Sequence, residues 1–194
     1  MKEPILYKTL RPLIVFLVKT LYKPEIIGTE NIPKDGKIVL AGNHTNNLDC
    51  VLLISSTKRT IHFLAKDELT NGIKKGLFLN MGIIPVNRRI HDKNALQKAI
   101  DVLNDDKVIG IFPEGTINRT EETIIPFKIG AVKMASETNT KIVPFIITGE
   151  YKIGNKNLKL EFLEPIEIPK KDDLTEYNKE LESIISKKLR KEKK

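Results

Sequence analysis

This sequence predicts a single α/β domain, with a mostly parallel central sheet flanked by helices. Three observations carry that reading. Short, continuous apolar runs recur at 38–42, 61–65, 82–86, 108–112 and 141–147, the pattern of strands covered on both faces. Stretches with apolar residues at helical spacing lie between those runs, and alternating strands and helices build a parallel sheet. The chain has 194 residues, 40% hydrophobic and 30% charged, which fits one globular domain with a substantial core.

The elements follow in order. Residues 1–24 form an N-terminal helical segment ahead of a domain over 25–194. The segment does not read as a signal peptide. Its apolar patch, Leu13 to Val18, is bracketed by Lys8, Arg11, Lys19 and Lys23 and punctuated by Pro4 and Pro12. A spanning helix needs ~20 apolar residues, so two readings remain: an amphipathic segment lying at a membrane interface, or a terminal helix packed on its own domain. The first buried strand is Ile38–Gly42, and a helix opens at Asp49. The second strand, 61–65, ends at Lys66 and leads to a helix over 67–79 with apolar Leu69, Ile73, Leu77 and Phe78. The third strand, 82–86, ends at Asn87, Arg88 and Arg89, with a helix over 92–104 after it. The fourth, 108–112, runs into Pro113, Glu114, Gly115 and Thr116, and a helix follows over 128–138. The fifth is 141–147. Residues 158–168 open with Leu158, Leu160 and Phe162 alternating with Lys159 and Glu161, a half-exposed strand at an edge or antiparallel. A charged helix with apolar Leu174, Tyr177, Leu181, Ile184, Ile185 and Leu189 fills 173–194. No internal repeat or second domain boundary is visible.

The formal net charge is +8 and the pI about 9.4, so the chain seeks anions: nucleic acid, an anionic bilayer or a phosphorylated ligand. Much of the excess lies in the tail at 187–194, which weakens the case for any one partner. Aromatic content of 6% argues against stacking on single-stranded nucleic acid. The lone Cys50 excludes an internal disulfide, points to a reducing compartment, and reads as a small core residue. No Cys/His cluster has metal-ligand spacing. The Walker loop, the G-x-G-x-x-G loop and the G-x-S-x-G nucleophile elbow are all missing.

In open α/β sheets, ligands bind beyond the carboxyl ends of the strands. His44 follows the first strand, Lys66 the second, Arg88 the third and Glu114 the fourth. On one regular helix, positions five apart lie ~140° apart, so His44 and Asp49 meet only if His44 is in the turn and Asp49 in the first helical turn. Asn46 is then the expected N-cap, with Asp49 at the third helical position. An aspartate bonded to one imidazole nitrogen fixes the tautomer and leaves the other as a general base. Taken alone, the pair is also compatible with helix capping by Asp49 and a backbone-bonding His44. With no nucleophilic side chain at a strand end, the group to be deprotonated becomes a hydroxyl of the substrate. Gly115 lets a ligand approach the backbone, Thr116 and nearby amides suit a phosphate or hydroxylated headgroup, and Glu114 suits a ligand hydroxyl. Arg88, Arg89, Lys66 and Lys128 supply cations, and each alone reads equally as solvated surface charge. His62 in a strand and His91 in a polar loop read as structural or solvated.

Together these residues resemble the glycerolipid acyltransferases, the 1-acyl-glycerol-3-phosphate acyltransferases of the PlsC type. Asn43 to Asp49 matches the first block, a histidine and an aspartate separated by four residues. Gly82 to Arg88, Phe112 to Thr116 and Ile142 to Phe145 resemble the next three in order, and Phe127 to Ala131 resembles a segment that follows the third block. The resemblance spans about residues 25–150. It implies a glycerol-3-phosphate acyltransferase-like fold and an enzyme making phosphatidate for phospholipid biosynthesis. His44, oriented by Asp49, would deprotonate the hydroxyl of lysophosphatidate, and the alkoxide would attack an acyl-CoA or acyl-acyl carrier protein thioester without a covalent enzyme intermediate. Arg88, Glu114, Gly115, Thr116 and Lys66 would hold the glycerol phosphate. No cofactor and no metal would be needed beyond the thioester cosubstrate. The partners would be the lysophospholipid, the acyl donor and an anionic membrane surface, with no nucleic acid, and the location peripheral or monotopic at the cytoplasmic face of the cell membrane. The family's third block usually continues with arginine, where this chain has Ile117, with Arg119 two residues on. That leaves another lysolipid headgroup open. Two further alternatives are a non-catalytic basic membrane- or nucleic-acid-binding module and a thioester hydrolase.

Overall fold

The computed structural model describes residues 4–70, 75–87, 90 and 92–192. Among them, strands β1 (Glu25–Ile27), β2 (Ile38–Gly42), β3 (Ile61–Lys66), β4 (Ile83–Val86), β5 (Val108–Ile111), β6 (Ile142–Thr148) and β7 (Lys159–Phe162) form one sheet in the order β1-β7-β6-β2-β5-β3-β4. Every pairing is parallel except β6 with β7. Helices α1 (Ile5–Leu21) and α2 (Asp49–Ser56) cover one face; α4 (Lys93–Asn104), α5 (Gly130–Thr138) and α6 (Thr175–Glu192) cover the other. The expected α/β architecture is the one observed.

The sheet is buried on both faces, and period two sorts its side chains. Ile38 and Leu40 turn to the α1/α2 side with Phe63, Val143 and Phe145. Val39 and Ala41 turn to the other with Ile109, Ile142 and Ile146. Helix α4 starts where expected, because Asp92 caps it by accepting the Ala95 N–H at 3.0 Å. Its other oxygen accepts the Asn87 N–H at 2.9 Å. These backbone bonds, first from Asn87 and then from Ala95, hold the Asp92 carboxyl below its ordinary range.

Several expectations change. The helix over 67–79 is instead a 3₁₀ turn at Asp67–Thr70 and a short helix α3, Lys75–Asn80, with Ile73 outside the described residues. Of the expected apolar stripe, Leu77 is exposed and Phe78 half-buried. The strand over 158–168 shortens to β7, with an isolated bridge from Ile166 to Ile142, because Pro165 has no N–H for a ladder. Antiparallel pairing holds, but β7 is not an edge: β1 lies beyond it, a three-residue strand too short to show periodicity.

Both readings of the N-terminal segment have a counterpart in α1. Its inner face packs on the domain: Tyr7 and Val18 are buried, and the Arg11 guanidinium donates to the Thr57 carbonyl at 2.6 and 3.0 Å. Its outer face leaves Ile5, Leu13, Phe16 and Leu17 in solvent, beside exposed Lys8 and Lys19. The helix runs through Pro12 and ends at Leu21, ahead of β1.

Candidate active site

Parallel pairing brings the carboxyl ends of β2, β5 and β3 together as neighbours, so the residues after them share one edge. His44 lies two residues past β2, Glu114 three past β5, and Lys66 ends β3. Arg88, which follows β4 in sequence, lies outside the described residues, as do Arg89 and His91.

Asp49 organises the turn. It is fully buried, and its Oδ2 accepts from His44 Nδ1 at 2.8 Å, from the Thr45 N–H at 2.6 Å and from the Asn46 N–H at 2.9 Å. Its Oδ1 accepts from the Thr45 hydroxyl at 3.1 Å and the Tyr151 hydroxyl at 2.7 Å. A buried carboxylate is tolerated only with such compensation. The carboxylate is an acceptor, so His44 carries its proton on Nδ1, which leaves Nε2 with the lone pair. The capping expectation needs correcting. Asp49 is the first residue of α2 and not its third, and its carboxylate binds the amides preceding the helix. Asn46 lies two residues upstream of the N-cap, Leu48, its side chain accepting the Leu48 N–H at 3.1 Å.

The histidine is held on every side. Its ring stacks on Phe112, centroids 4.1 Å apart and planes 13° apart. Its N–H donates to Glu114 Oε1 at 2.8 Å, and its carbonyl accepts the Asn118 N–H at 2.9 Å. Glu114 is 3% exposed, and its second oxygen accepts the Ile125 N–H at 2.8 Å. It therefore clamps the His44 turn to the segment leading into α5. Burial raises the Glu114 pKa, with both backbone bonds opposing the rise. Gly115 adopts φ +72°, where an added Cβ would meet Lys128 Nζ at 2.9 Å. The Lys128 amine thus lies across the Gly115 turn, while Thr116 and Lys66 are exposed. Beside them, a groove of about 680 Å³ opens between α4 and α5, within the usual range of about 300–1,000 Å³ for ligand sites. Leu64, Val86, Ile111 and Phe112 line it, and Gly115 and Lys128 stand at its rim. Among the described residues, no group of three or more His, Cys, Asp or Glu could hold a metal ion.

The family model for "Acyltransferase" matches residues 23–148, which include this whole constellation apart from Tyr151. The chain belongs to the acyltransferase family. It is 38% identical over 136 residues to a 1-acyl-sn-glycerol-3-phosphate acyltransferase of Borreliella burgdorferi, covering 69% of this chain and 54% of that protein. It is 32% identical over 127 residues to the Bacillus subtilis protein of the same name, covering 64% and 62%. The chain thus matches just over half the length of these relatives. The crystal structure of the 1-acyl-sn-glycerophosphate acyltransferase PlsC from Thermotoga maritima has the same fold, with a TM-score of 0.74 at 21% identity, covering 96% of this chain and 82% of that one.

Sequence reasoning missed three residues of this candidate site. Asn43, 5% exposed, extends the β2–β6 ladder with its side chain, donating to the Ile147 carbonyl at 2.9 Å and accepting the Ile147 N–H at 2.8 Å. Its place in the first block was the available signal. Phe112 read as the end of a strand and is the ring beneath His44. Tyr151 lies 102 positions from Asp49 and carries no local signal.

Proposed function

We propose that this chain is an O-acyltransferase that moves an acyl group from a thioester, acyl-CoA or acyl-acyl carrier protein, to the free hydroxyl of 1-acyl-sn-glycerol-3-phosphate, giving phosphatidate. The observation that carries the reading is the 2.8 Å bond between His44 Nδ1 and the buried Asp49 carboxylate. Nε2 takes the acceptor's hydroxyl proton as the oxygen attacks the thioester carbonyl carbon. The C–O bond forms, the C–S bond breaks as the tetrahedral intermediate collapses, and the imidazolium returns its proton to the leaving thiolate. Asp49 stabilises the imidazolium, and Glu114 and Phe112 hold the ring in place. No protein nucleophile takes part.

The acceptor phosphate goes to the cations Lys66, Arg88 and Lys128, with the Gly115 turn and the Thr116 hydroxyl beside them. The apolar groove beside Phe112 suits an acyl chain. The names of the relatives support the choice of acceptor. Among the described residues no helix is long and apolar enough to cross a membrane. The outer face of α1 combines exposed Leu13, Phe16 and Leu17 with Lys8 and Lys19, which fits monotopic seating on the anionic cytoplasmic face of a membrane.

The test is product analysis with lysophosphatidate and each donor. Phosphatidate and free thiol in equal amounts are expected, with kcat falling about 10²–10⁴-fold in His44→Ala. Free fatty acid without acylated lipid would make the chain a hydrolase, and full turnover by His44→Ala would refute the mechanism. Arg88→Ala should raise KM for the acceptor.

A further inference from the structure

The Asp49 carboxylate has one oxygen toward His44 and one turned away from it. Oδ2 carries the imidazole bond and two backbone amides. Oδ1 has two hydroxyl donors, Thr45 in the same turn and Tyr151, from the segment that follows β6. Asp49 is fully buried, so both donors on Oδ1 come from the protein. Burial first, and then the Asp49 charge and hydrogen bond, push the Tyr151 hydroxyl far above the ordinary range for a phenol, so it keeps its proton and remains a donor.

Tyr151 is itself held in place. The chain leaves β6 through Gly149 at φ +80°, where a Cβ would run into the backbone of Asn157. The segment then ties to the end of α1. The Gly154 N–H donates to the Leu21 carbonyl at 3.0 Å, and the Tyr22 ring meets the Tyr151 ring edge-on, centroids 5.7 Å apart at 79°. An edge-to-face contact of this kind fixes a ring's direction as well as its depth. A continuous path of contacts therefore runs from α1 through Tyr22 and Tyr151 to the carboxylate that orients His44.

We propose that Tyr151 is a positioning residue for acyl transfer: supported by the Tyr22 end of α1, its hydroxyl holds the Asp49 carboxylate in the orientation that presents His44 to the acceptor hydroxyl. The inference rests on the reading of His44 as the general base. Without the Tyr151 donor, Oδ1 keeps only the Thr45 hydroxyl, and the carboxylate, still held through the three donors on Oδ2, tilts from its set direction and shifts the imidazole with it. Tyr151 acts through Asp49, so the loss falls on turnover and not on binding.

The experiment is steady-state kinetics of lysophosphatidate acylation by the full chain, comparing wild type, Tyr151→Phe, Tyr22→Leu and His44→Ala. Tyr151→Phe should lower kcat about 10-fold or more, the range for a lost hydrogen bond to a charged group, with both KM values within about twofold of wild type. Tyr22→Leu, which keeps the hydroxyl but removes the supporting ring, should lower kcat by less and in the same way; if Tyr151→Phe fails to fold, this variant carries the test. A second readout is proton NMR of the His44 Nδ1–H, assigned by its loss in His44→Gln: the resonance should move in Tyr151→Phe. Wild-type kcat with an unmoved resonance in Tyr151→Phe, or a rise in KM that accounts for the whole loss, would overturn the proposal. A fully active His44→Ala would instead remove the functional reading on which it rests.

Discussion

Replacing Asp49 by asparagine separates the charge of the carboxylate from its shape. Three N–H donors converge on Oδ2, from His44 Nδ1, Thr45 and Asn46, so an amide at this position must turn its oxygen toward them. Its NH₂ then faces the Thr45 and Tyr151 hydroxyls, which rotate to accept. The turn and the His44 tautomer survive, and what disappears is the charge opposite the imidazolium. Hydrogen bonds to charged groups contribute about 1.5–3 kcal/mol against about 0.5–1.5 for neutral ones, so Asp49→Asn should cost about 1–2 kcal/mol of transition-state stabilisation, roughly 5–30-fold in kcat. Asp49→Ala is different. It leaves the Thr45 and Asn46 amides without their acceptor, at about 1–3 kcal/mol each, and should lower Tm by on the order of 10 °C in a chain of this size. The assays are kcat for lysophosphatidate acylation and thermal melting of both variants. A folded Asp49→Asn protein as inactive as Asp49→Ala would refute the claim that the three donors fix the amide. An Asp49→Asn protein with wild-type kcat would refute the role of the charge.

Other outcomes follow from the same geometry. Burial, and then the neighbouring Asp49 charge, push the Cys50 thiol up to about 12, so alkylation at pH 8 should be slow in the native protein and fast in denaturant; rapid native labelling would contradict this. Glu114 has a raised pKa in the folded state, so the folded chain binds more protons than the unfolded one above the ordinary carboxyl range. Its contribution to stability is fullest below that range and is lost as pH rises through the raised value, so the stability gap between wild type and Glu114→Gln should narrow over that interval in denaturant titrations. Above the raised value the ionised carboxylate offers two acceptors to the His44 and Ile125 amides where glutamine offers one, so some gap in favour of wild type should remain there. Gly115→Ala should strain a backbone at φ +72° by about 1 kcal/mol or more, displace Lys128 and raise the acceptor KM; unchanged kinetics would separate Lys128 from the phosphate site. Leu13→Glu with Phe16→Glu should abolish binding to anionic vesicles with little change in Tm, since both side chains already stand in solvent.

Much of the fold was legible because its signals are local. Each long strand is a continuous apolar run, Asp92 stands where a helix begins, and His44 and Asp49 are close enough in sequence for helix geometry to decide whether they can meet. Where the signal was weak, the reading failed. Glu25–Ile27 is too short to show a period, 67–79 breaks into a 3₁₀ turn and a short helix with Leu77 exposed, and the cap falls to Leu48 because Asn46 and Asp49 find their bond partners in a turn whose path local spacing does not fix.

By itself, then, the sequence determined the α/β class, the strand ends as the place for chemistry, the histidine–aspartate pair and the family resemblance, all properties of short segments. Tertiary structure decided which strand ends are neighbours: β5 beside β2 puts Glu114 on the His44 amide. It also turned α1 so that one face packs inward and the other stays bare. It brought Tyr151 to Asp49 across 102 positions. The physical reason is common to these cases. A buried carboxylate must gather its donors from whatever the packed chain brings within about 3 Å: for Asp49 the adjoining turn supplies His44, Thr45 and Asn46, and strand order alone supplies Tyr151.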